Sequence, residues 1–408
     1  MERTTEPADE PATIRIMVFN IEDGGVGVDF GKVIEAIRLA DPDIVALEEA
    51  MGNTARTADA LGWEHASART HVLSRHPIAD PPDGDGVYVF VEVRPGEIVA
   101  VANVHQPADP YGPDLALRGG TPADVVDLER RIRLPKLERQ LTVLPSLAAA
   151  GIPVFLLGDF NAPSHLDWTP ATVGLRPHIR AAIDWPVSRA IEAAGLRDTW
   201  REIHPDPVAD PGLTWWDDRP PTGGYEPGPD TPNDRIDVIY AAGPSITTDC
   251  RIVGEVGRED VAIGVDPWPS DHRGVVSTFL VRPAPAPVFA PPPPSTSRAP
   301  APVRLHTSKP AYRVGEPIEV SWAGGPGNRW DWIAIYRAPT GDLRYAHLIW
   351  LHTDSRIKGT VHLDAAAAVV DQSPAGGRWP LPPGAYEAVY LLDDSPEWVA
   401  RVAFSIVP

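Results

Sequence analysis

Ser270-Asp271-His272-Arg273-Gly274-Val275 sets a carboxylate beside an imidazole immediately ahead of an apolar run, 275–281. Further back along the chain, other polar clusters also stand at the ends of apolar runs: Phe19-Asn20, Glu48-Glu49, Asn103-Val104-His105 and Gly158-Asp159-Phe160-Asn161. The runs they close, 14–19, 44–47, 98–104 and 153–157, are short and rich in β-branched residues, the pattern of buried strands. Helical spacing fills the intervals at 31–39 and 125–150, where Leu128, Ile132, Leu137, Leu141 and Leu144 share roughly one face. Strands interleaved with helices, followed by strands at 235–240 and 275–281, predict a layered α/β sandwich with the polar clusters gathered into one site.

At 408 residues the chain exceeds a usual single domain. A proline-rich segment, 283–302, is suited to polyproline II and reads as a semi-rigid spacer. We therefore expect an amino-terminal tail over 1–13, a main domain over 14–282, a linker over 283–302 and an accessory domain over 303–408. Segments 317–322, 332–336, 386–392 and 399–406 alternate in part between apolar and polar, which predicts a small all-β sandwich. Residues 205–233, rich in Pro and Gly, read as a long loop beside the site. Charge divides at the linker: residues 1–282 hold 25 Lys and Arg against 45 Asp and Glu, and residues 283–408 hold 11 against 11. A single cysteine, Cys250, excludes an intrachain disulfide. The start, Met1-Glu2-Arg3-Thr4-Thr5-Glu6-Pro7, lacks the basic and apolar regions of a signal peptide, so a cytoplasmic location is expected. No apolar run approaches the ~18–20 residues that a membrane-crossing helix needs.

In Gly158-Asp159-Phe160-Asn161, the two-residue period of a strand points Asp159 and Asn161 to one side and Phe160 to the other. Asp159 can orient or bind a metal or a water, Asn161 can donate to a phosphoryl oxygen, and Phe160 can pack beneath them. The same tetrapeptide also reads as a strand-ending turn. Glu49, leaving a buried run, can bind a hard divalent cation. Glu48 is expected to point elsewhere, into solvent. Asn20 can supply a neutral oxygen to the same ion or serve as a turn residue. His105 and His272 flank apolar strands, and Asp237 is the candidate to orient His272. Asp234 reads as a cap or a partner of Arg235. Several carboxylates, an Asn pair and two histidines, with no Ser or Cys nucleophile motif, favour metal-assisted attack by water, with one histidine handling the proton. Magnesium or manganese suits such oxygen ligands better than zinc.

The ordered set Phe19-Asn20, Leu47-Glu48-Glu49, Ser74-Arg75-His76-Pro77-Ile78, Asn103-Val104-His105, Gly158-Asp159-Phe160-Asn161, Arg235-Ile236-Asp237 and Ser270-Asp271-His272 resembles the endonuclease/exonuclease/phosphatase superfamily. The resemblance spans residues 14–281. It implies a four-layered, DNase I-like α/β sandwich and cleavage of phosphate esters with Mg2+ or Mn2+; the small all-β sandwich expected after it, immunoglobulin-like in size, rests on the alternation of the tail and lies outside the resemblance. It further implies metal coordination by Glu49 helped by Asn20 and Asp271, and positioning of the nucleophile or metal by Asp159. Asn161 and His105 would contact the phosphate, and His272 with Asp237 would do acid–base and transition-state work. Glu48 departs from the family, which often has Gln there. Asp109-Pro110-Tyr111-Gly112-Pro113 and Arg118-Gly119-Gly120 have no family counterpart.

Polyanionic nucleic acid favours a basic footprint, which a domain carrying −20 lacks overall. A small phosphodiester, a phosphomonoester or a lipid headgroup is the expected substrate class, with a DNase I-like nuclease and a noncatalytic binding protein as alternatives. The accessory domain, whose ligand is unknown, carries Trp322, Trp330, Trp332, Trp350, Trp379 and Trp398. Trp322 and Trp332 fall in strand patterns and read as core; Trp330, in a Gly-rich loop, reads as an exposed contact.

Overall fold

The computed structural model describes residues 10–81, 84, 86–215, 231–287, 302–328, 330–341, 343, 346–354, 356–365, 379–393 and 395–408. The expected tail in part, most of the linker, and 216–230 of the expected loop lie outside the described residues.

Strands of the first part are β1 (Ala12–Asn20), β2 (Ile44–Glu48), β3 (His65–Ser67), β4 (Val72–Ser74), β5 (Ile78–Ala79), β6 (Val89–Arg94) and β7 (Glu97–His105). They continue as β8 (Val154–Asp159), β9 (Arg197–Asp198), β10 (Asp237–Ala242), β11 (Ser245–Glu255), β12 (Ile263–Val265), β13 (Gly274–Val281) and β14 (Ala284–Pro285). One sheet has the order β12-β11-β13-β1-β2-β4-β3, the other β5-β6-β7-β8-β10-β9, with β14 paired to β7. Alternation decides the layers. Ile14, Ile16, Val18, Ile44 and Ala46 of the first sheet meet Val99, Val101, Phe155, Leu157 and Ile239 of the second in one buried cluster. The intervening residues face outward: Met17, Phe19, Val45 and Leu47 pack on Val33, Ala36 and Ile37 of helix Phe30–Ala40. On the far side, Ala100, Ala102, Val104 and Leu156 pack on Val125, Leu137 and Leu144. The result is helix, sheet, sheet, helix: the expected four-layered sandwich, in which strands buried on both faces read as continuous apolar runs.

The helix expected over 125–150 is three elements: Pro122–Ile132, a 3-10 turn Leu134–Leu137, and Glu138–Ala149. Pro135 lacks the N–H that would continue the ladder, and its ring crowds the preceding turn. Ala284 of the proline-rich segment is buried where β14 lies on β7, at the sheet position proline tolerates, a short flanking strand.

The second part has β15 (Arg304–Thr307), β16 (Ala311–Arg313), β17 (Ile318–Ala323), β18 (Trp332–Arg337), β19 (Ile349–His352), β20 (Lys358–Leu363), β21 (Gly384–Leu391) and β22 (Trp398–Val407). They form two sheets, β15-β17-β20 and β16-β22-β21-β18-β19. Ile318, Val320 and Trp322 of one meet Ile333, Ile335, Tyr386, Ala388 and Tyr390 of the other, the expected all-β sandwich. No helix among the described residues is long and apolar enough to cross a membrane.

Candidate active site

Strand pairing brings the polar clusters to one end of the two sheets. β1 and β2 run parallel with Asn20 opposite Glu48, and β7 and β8 run parallel with His105 opposite Asp159. β10 is antiparallel to β8, so its first residue, Asp237, lies opposite Asp159. β13 is antiparallel to β1 with Val275 opposite Val18, so Ser270–Arg273 enter beside Asn20. Ser270 Oγ donates to the Asn20 carbonyl at 2.7 Å and accepts the His272 N–H at 3.0 Å, locking that entry. Thr214 Oγ1 accepts the N–H groups of Ile236 and Asp237, both at 3.0 Å, setting the start of β10. β7 and β8 approach so closely at Gly158 (φ 149°) that a Cβ there would lie 1.8 Å from the Val104 carbonyl oxygen; only glycine fits.

His272 Nδ1 lies 2.9 Å from Asp237 Oδ2, and its Nε2 is 3.8 Å from Asp159 Oδ2 and 3.9 Å from Asp271 Oδ1. His105 Nε2 is 3.6 Å from Asp159 Oδ2. Asn20 Nδ2 donates to Asp159 Oδ2 at 3.1 Å and to Glu49 Oε1 at 3.3 Å, while its oxygen accepts the Glu22 N–H at 3.1 Å. Asn161 follows the end of β8 in a left-handed turn (φ 45°), so the turn, and not strand alternation, brings it back to Asp159. Its Nδ2 donates to the Gln106 carbonyl at 3.0 Å and to Asp159 Oδ2 at 3.2 Å. Phe160 packs beneath, edge-to-face with Tyr240. His272, Asp237, Asp159, Asn161, His105, Asn20, Glu49 and Asp271 therefore converge.

A sequence model of the Endonuclease/Exonuclease/phosphatase family matches residues 17–272, most of the chain and the whole of this constellation. The chain belongs to the endonuclease/exonuclease/phosphatase family. An uncharacterized protein of Caenorhabditis elegans is 30% identical over 294 residues, 65% of this chain and 91% of that protein. TDP2 of D. rerio, solved with single-strand DNA product, is 15% identical with a TM-score of 0.39, covering 66% of this chain and 99% of its own. An AP endonuclease from Leishmania major is 12% identical with a TM-score of 0.40, covering 69% of this chain and 92% of its own.

The residues this family member brings together suit a divalent cation. Asp159, Asp237 and His272 offer ligand atoms all within 4.8 Å of one another. Asp271 Oδ1 and both oxygens of Glu48 are buried with no aligned hydrogen-bond donor among the described residues, although Asn103 lies beside Glu48. Unpaired buried carboxylates are costly without a cation to offset them. Burial, with Asp237 and Asp159 close by, pushes the Glu48 carboxyl well above its ordinary value. Burial also raises Glu49, with Asp271 adding to it against His105 and His272, and raises Asp159, with Asp237 adding to it. Burial alone would lower His272, but Asp237, Asp271 and Asp159 outweigh it and hold the imidazole well above its ordinary value.

Several expectations are corrected. Glu48 is not solvated: it ends β2 fully buried, because Glu49, and not Glu48, adopts the left-handed turn (φ 53°) that leaves the strand. Asp234 does not pair with Arg235. It accepts from Trp168 Nε1 at 2.9 Å and lies 3.2 Å from His178 Nε2, while Arg235 is held by Asp167 and Asp198. Trp330 is buried, not an exposed contact. Residues that sequence reasoning missed include Glu22, whose Oε2 accepts the Asp271 N–H at 3.1 Å, and Trp215, whose Nε1 donates to Asp271 Oδ2 at 3.4 Å. No local pattern distinguishes these two; only the strand register brings them beside Asp271.

Proposed function

We propose that this chain is a divalent-metal-dependent phosphoesterase that hydrolyses a small-molecule or lipid-headgroup phosphodiester, or a phosphomonoester, by attack of water. The observation that carries this reading is the Asp237–His272–Asp159 convergence, an imidazole oriented by one buried carboxylate with its Nε2 3.8 Å from a second. Glu49 and Asp271, with the Asn20 amide, would hold Mg2+ or Mn2+, which would offset charge developing on the phosphoryl oxygens. Asp159 accepts a proton of the attacking water and aims it. Asp237 fixes the tautomer of His272 so that Nε2 carries the proton to a phosphoryl oxygen or the leaving group. His105, whose Nε2 is 3.6 Å from Asp159 Oδ2, contacts the phosphate. Asn161 holds Asp159, and the amide hydrogen it shares with that carboxylate is the one a phosphoryl oxygen would take.

The test is hydrolysis of bis-p-nitrophenyl phosphate, p-nitrophenyl phosphate, sphingomyelin and plasmid DNA with magnesium or manganese, comparing wild type with His272→Ala. The variant should lose about 100- to 10,000-fold in kcat while keeping its circular dichroism spectrum. An equal rate in a folded variant overturns the role of His272. Preference for plasmid DNA would transfer the reading to a nuclease, and inertness toward the whole panel to a noncatalytic scaffold.

A further inference from the structure

The loops of the β-sandwich meet the first domain beside its catalytic residues. Trp330, in the turn before β18, is 3% exposed. Its ring meets His105 edge-to-face with centroids 5.8 Å apart, and meets His71 and His352 at 5.9 Å and 5.5 Å. Asp393, just after β21, pairs through Oδ1 with His71 Nε2 and accepts the Gly52 N–H at Oδ2, 3.0 Å away. Farther out, Arg69 Nε donates to the Gly327 carbonyl at 3.0 Å and Arg139 to the Asp354 carbonyl at 3.1 Å.

These contacts fall on backbone that needs outside support. Glu49 (φ 53°), Met51 (φ 45°) and His71 (φ 51°) are all left-handed without being glycine, a state that persists only where the surroundings hold it. The His71 carbonyl accepts the Leu47 N–H at 2.9 Å, so His71 also borders the end of β2, where Glu48 and Glu49 emerge. Within the sandwich, Asp331 ties the two contributing loops together. It accepts from Tyr390 Oη at 3.0 Å, from Asn328 Nδ2 at 3.1 Å and from the Asp393 N–H at 3.2 Å. Trp330 and Asp393 are therefore linked through Asp331.

We propose that the carboxy-terminal β-sandwich forms part of the active-site wall, with Trp330 and Asp393 as positioning residues for His105 and for the turn that carries Glu49. What His105 and Glu49 do chemically rests on the phosphoesterase reading; the positioning itself does not. Trp330 confines the imidazole of His105 against Asp159, and Asp393 sets the direction in which Glu49 leaves β2. The domain is then a support for catalysis and cation binding, and not only a tethered accessory.

The experiment uses the full chain and four variants, each checked for folding by circular dichroism: Trp330→Leu, Trp330→Phe, Asp393→Ala and Asp393→Asn. Arg139→Ala, which cuts an interdomain contact away from the site, is the control. Trp330→Leu should lower kcat on bis-p-nitrophenyl phosphate by about tenfold or more with KM little changed, and Trp330→Phe should recover most of it. Asp393→Ala should weaken Mg2+ binding, read by calorimetry without substrate, by about tenfold, and Asp393→Asn, which keeps an acceptor for Gly52, should restore it in part. The control should match wild type in both. Unchanged kcat in folded Trp330→Leu together with unchanged Mg2+ affinity in folded Asp393→Ala overturns the proposal. So does an equal loss in Arg139→Ala, which would indicate general destabilisation. If wild type hydrolyses nothing, the phosphoesterase reading falls, and the Mg2+ titration alone still decides this proposal. If Asp393→Ala does not fold, the titration passes to Asp393→Asn, where an affinity equal to wild type in a folded protein that also tolerates Trp330→Leu overturns it.

Discussion

Glu48 is the residue whose environment most constrains chemistry. Its carboxylate is fully buried, has no aligned donor, and faces Asp159 and Asp237. Replacing it with glutamine removes a buried like-charge repulsion and supplies hydrogens that those carboxylates can accept. In the presence of EDTA at pH 8, Glu48→Gln should therefore be more stable than wild type, by on the order of 1 kcal/mol or more, read by urea unfolding. The same change should weaken Mg2+ binding by about tenfold, because it removes a carboxylate from beside the residues proposed to hold the cation. A less stable variant in EDTA would mean that Glu48 is satisfied by the protein alone.

At the scale of elements, the loop after His105 is held by a helix. Arg133 donates to the Ala108 and Pro110 carbonyls at 2.7 Å and 3.1 Å, and to Glu129 one helical turn back at 2.7 Å. Gly112 is required where the loop crosses this pair, since a Cβ would lie 2.7 Å from Glu129 Oε1 and 2.8 Å from the Trp185 ring. Burial outweighs the Arg133 guanidinium and pushes Glu129 up from 4.5 to about 7. The folded chain thus binds this proton more tightly than the unfolded chain. Its stabilising effect is fully present below pH 4.5 and is lost as pH rises through 7. Relative to Glu129→Gln, which does not titrate, wild type should lose about 3 kcal/mol of stability between pH 4.5 and pH 8. Parallel curves from denaturant titrations would show that Glu129 stays ionised with Arg133.

For the whole molecule, charge bears on the substrate. The −20 of residues 1–282 opposes a long polyanion and has little effect on one phosphate bound at short range. Raising salt from about 50 to about 200 mM costs a protein with several phosphate contacts about a thousandfold in affinity, so kcat/KM for a small phosphodiester should change less than about threefold. A steep fall would favour a nuclease with a local basic track.

The sequence by itself determined the layered α/β class, the all-β second part and most of the polar residues that converge at one end of the two sheets. Each rests on a local signal: apolar runs buried on both faces, polar residues at their ends, and alternation after a proline-rich segment. The pairing of His272 with Asp237, and Asp159 and His105 each as a polar residue at a strand end, were legible because strand ends announce themselves in sequence. Glu48 and Trp330 were misread, because burial depends on what packs across a gap. Glu48 looks like half of a solvated acidic pair until the turn at Glu49 directs it inward. Trp330 looks like a loop-tip aromatic until the fold packs its ring against His71 and His105. Glu22 and Trp215 had no signal at all. Their roles exist only through strand register, which brings residues some 250 positions apart in the chain, Glu22 and Asp271, within 3.1 Å. Tertiary structure alone decided those contacts, since hydrogen bonding and desolvation act over a few ångströms of space and are indifferent to separation along the chain.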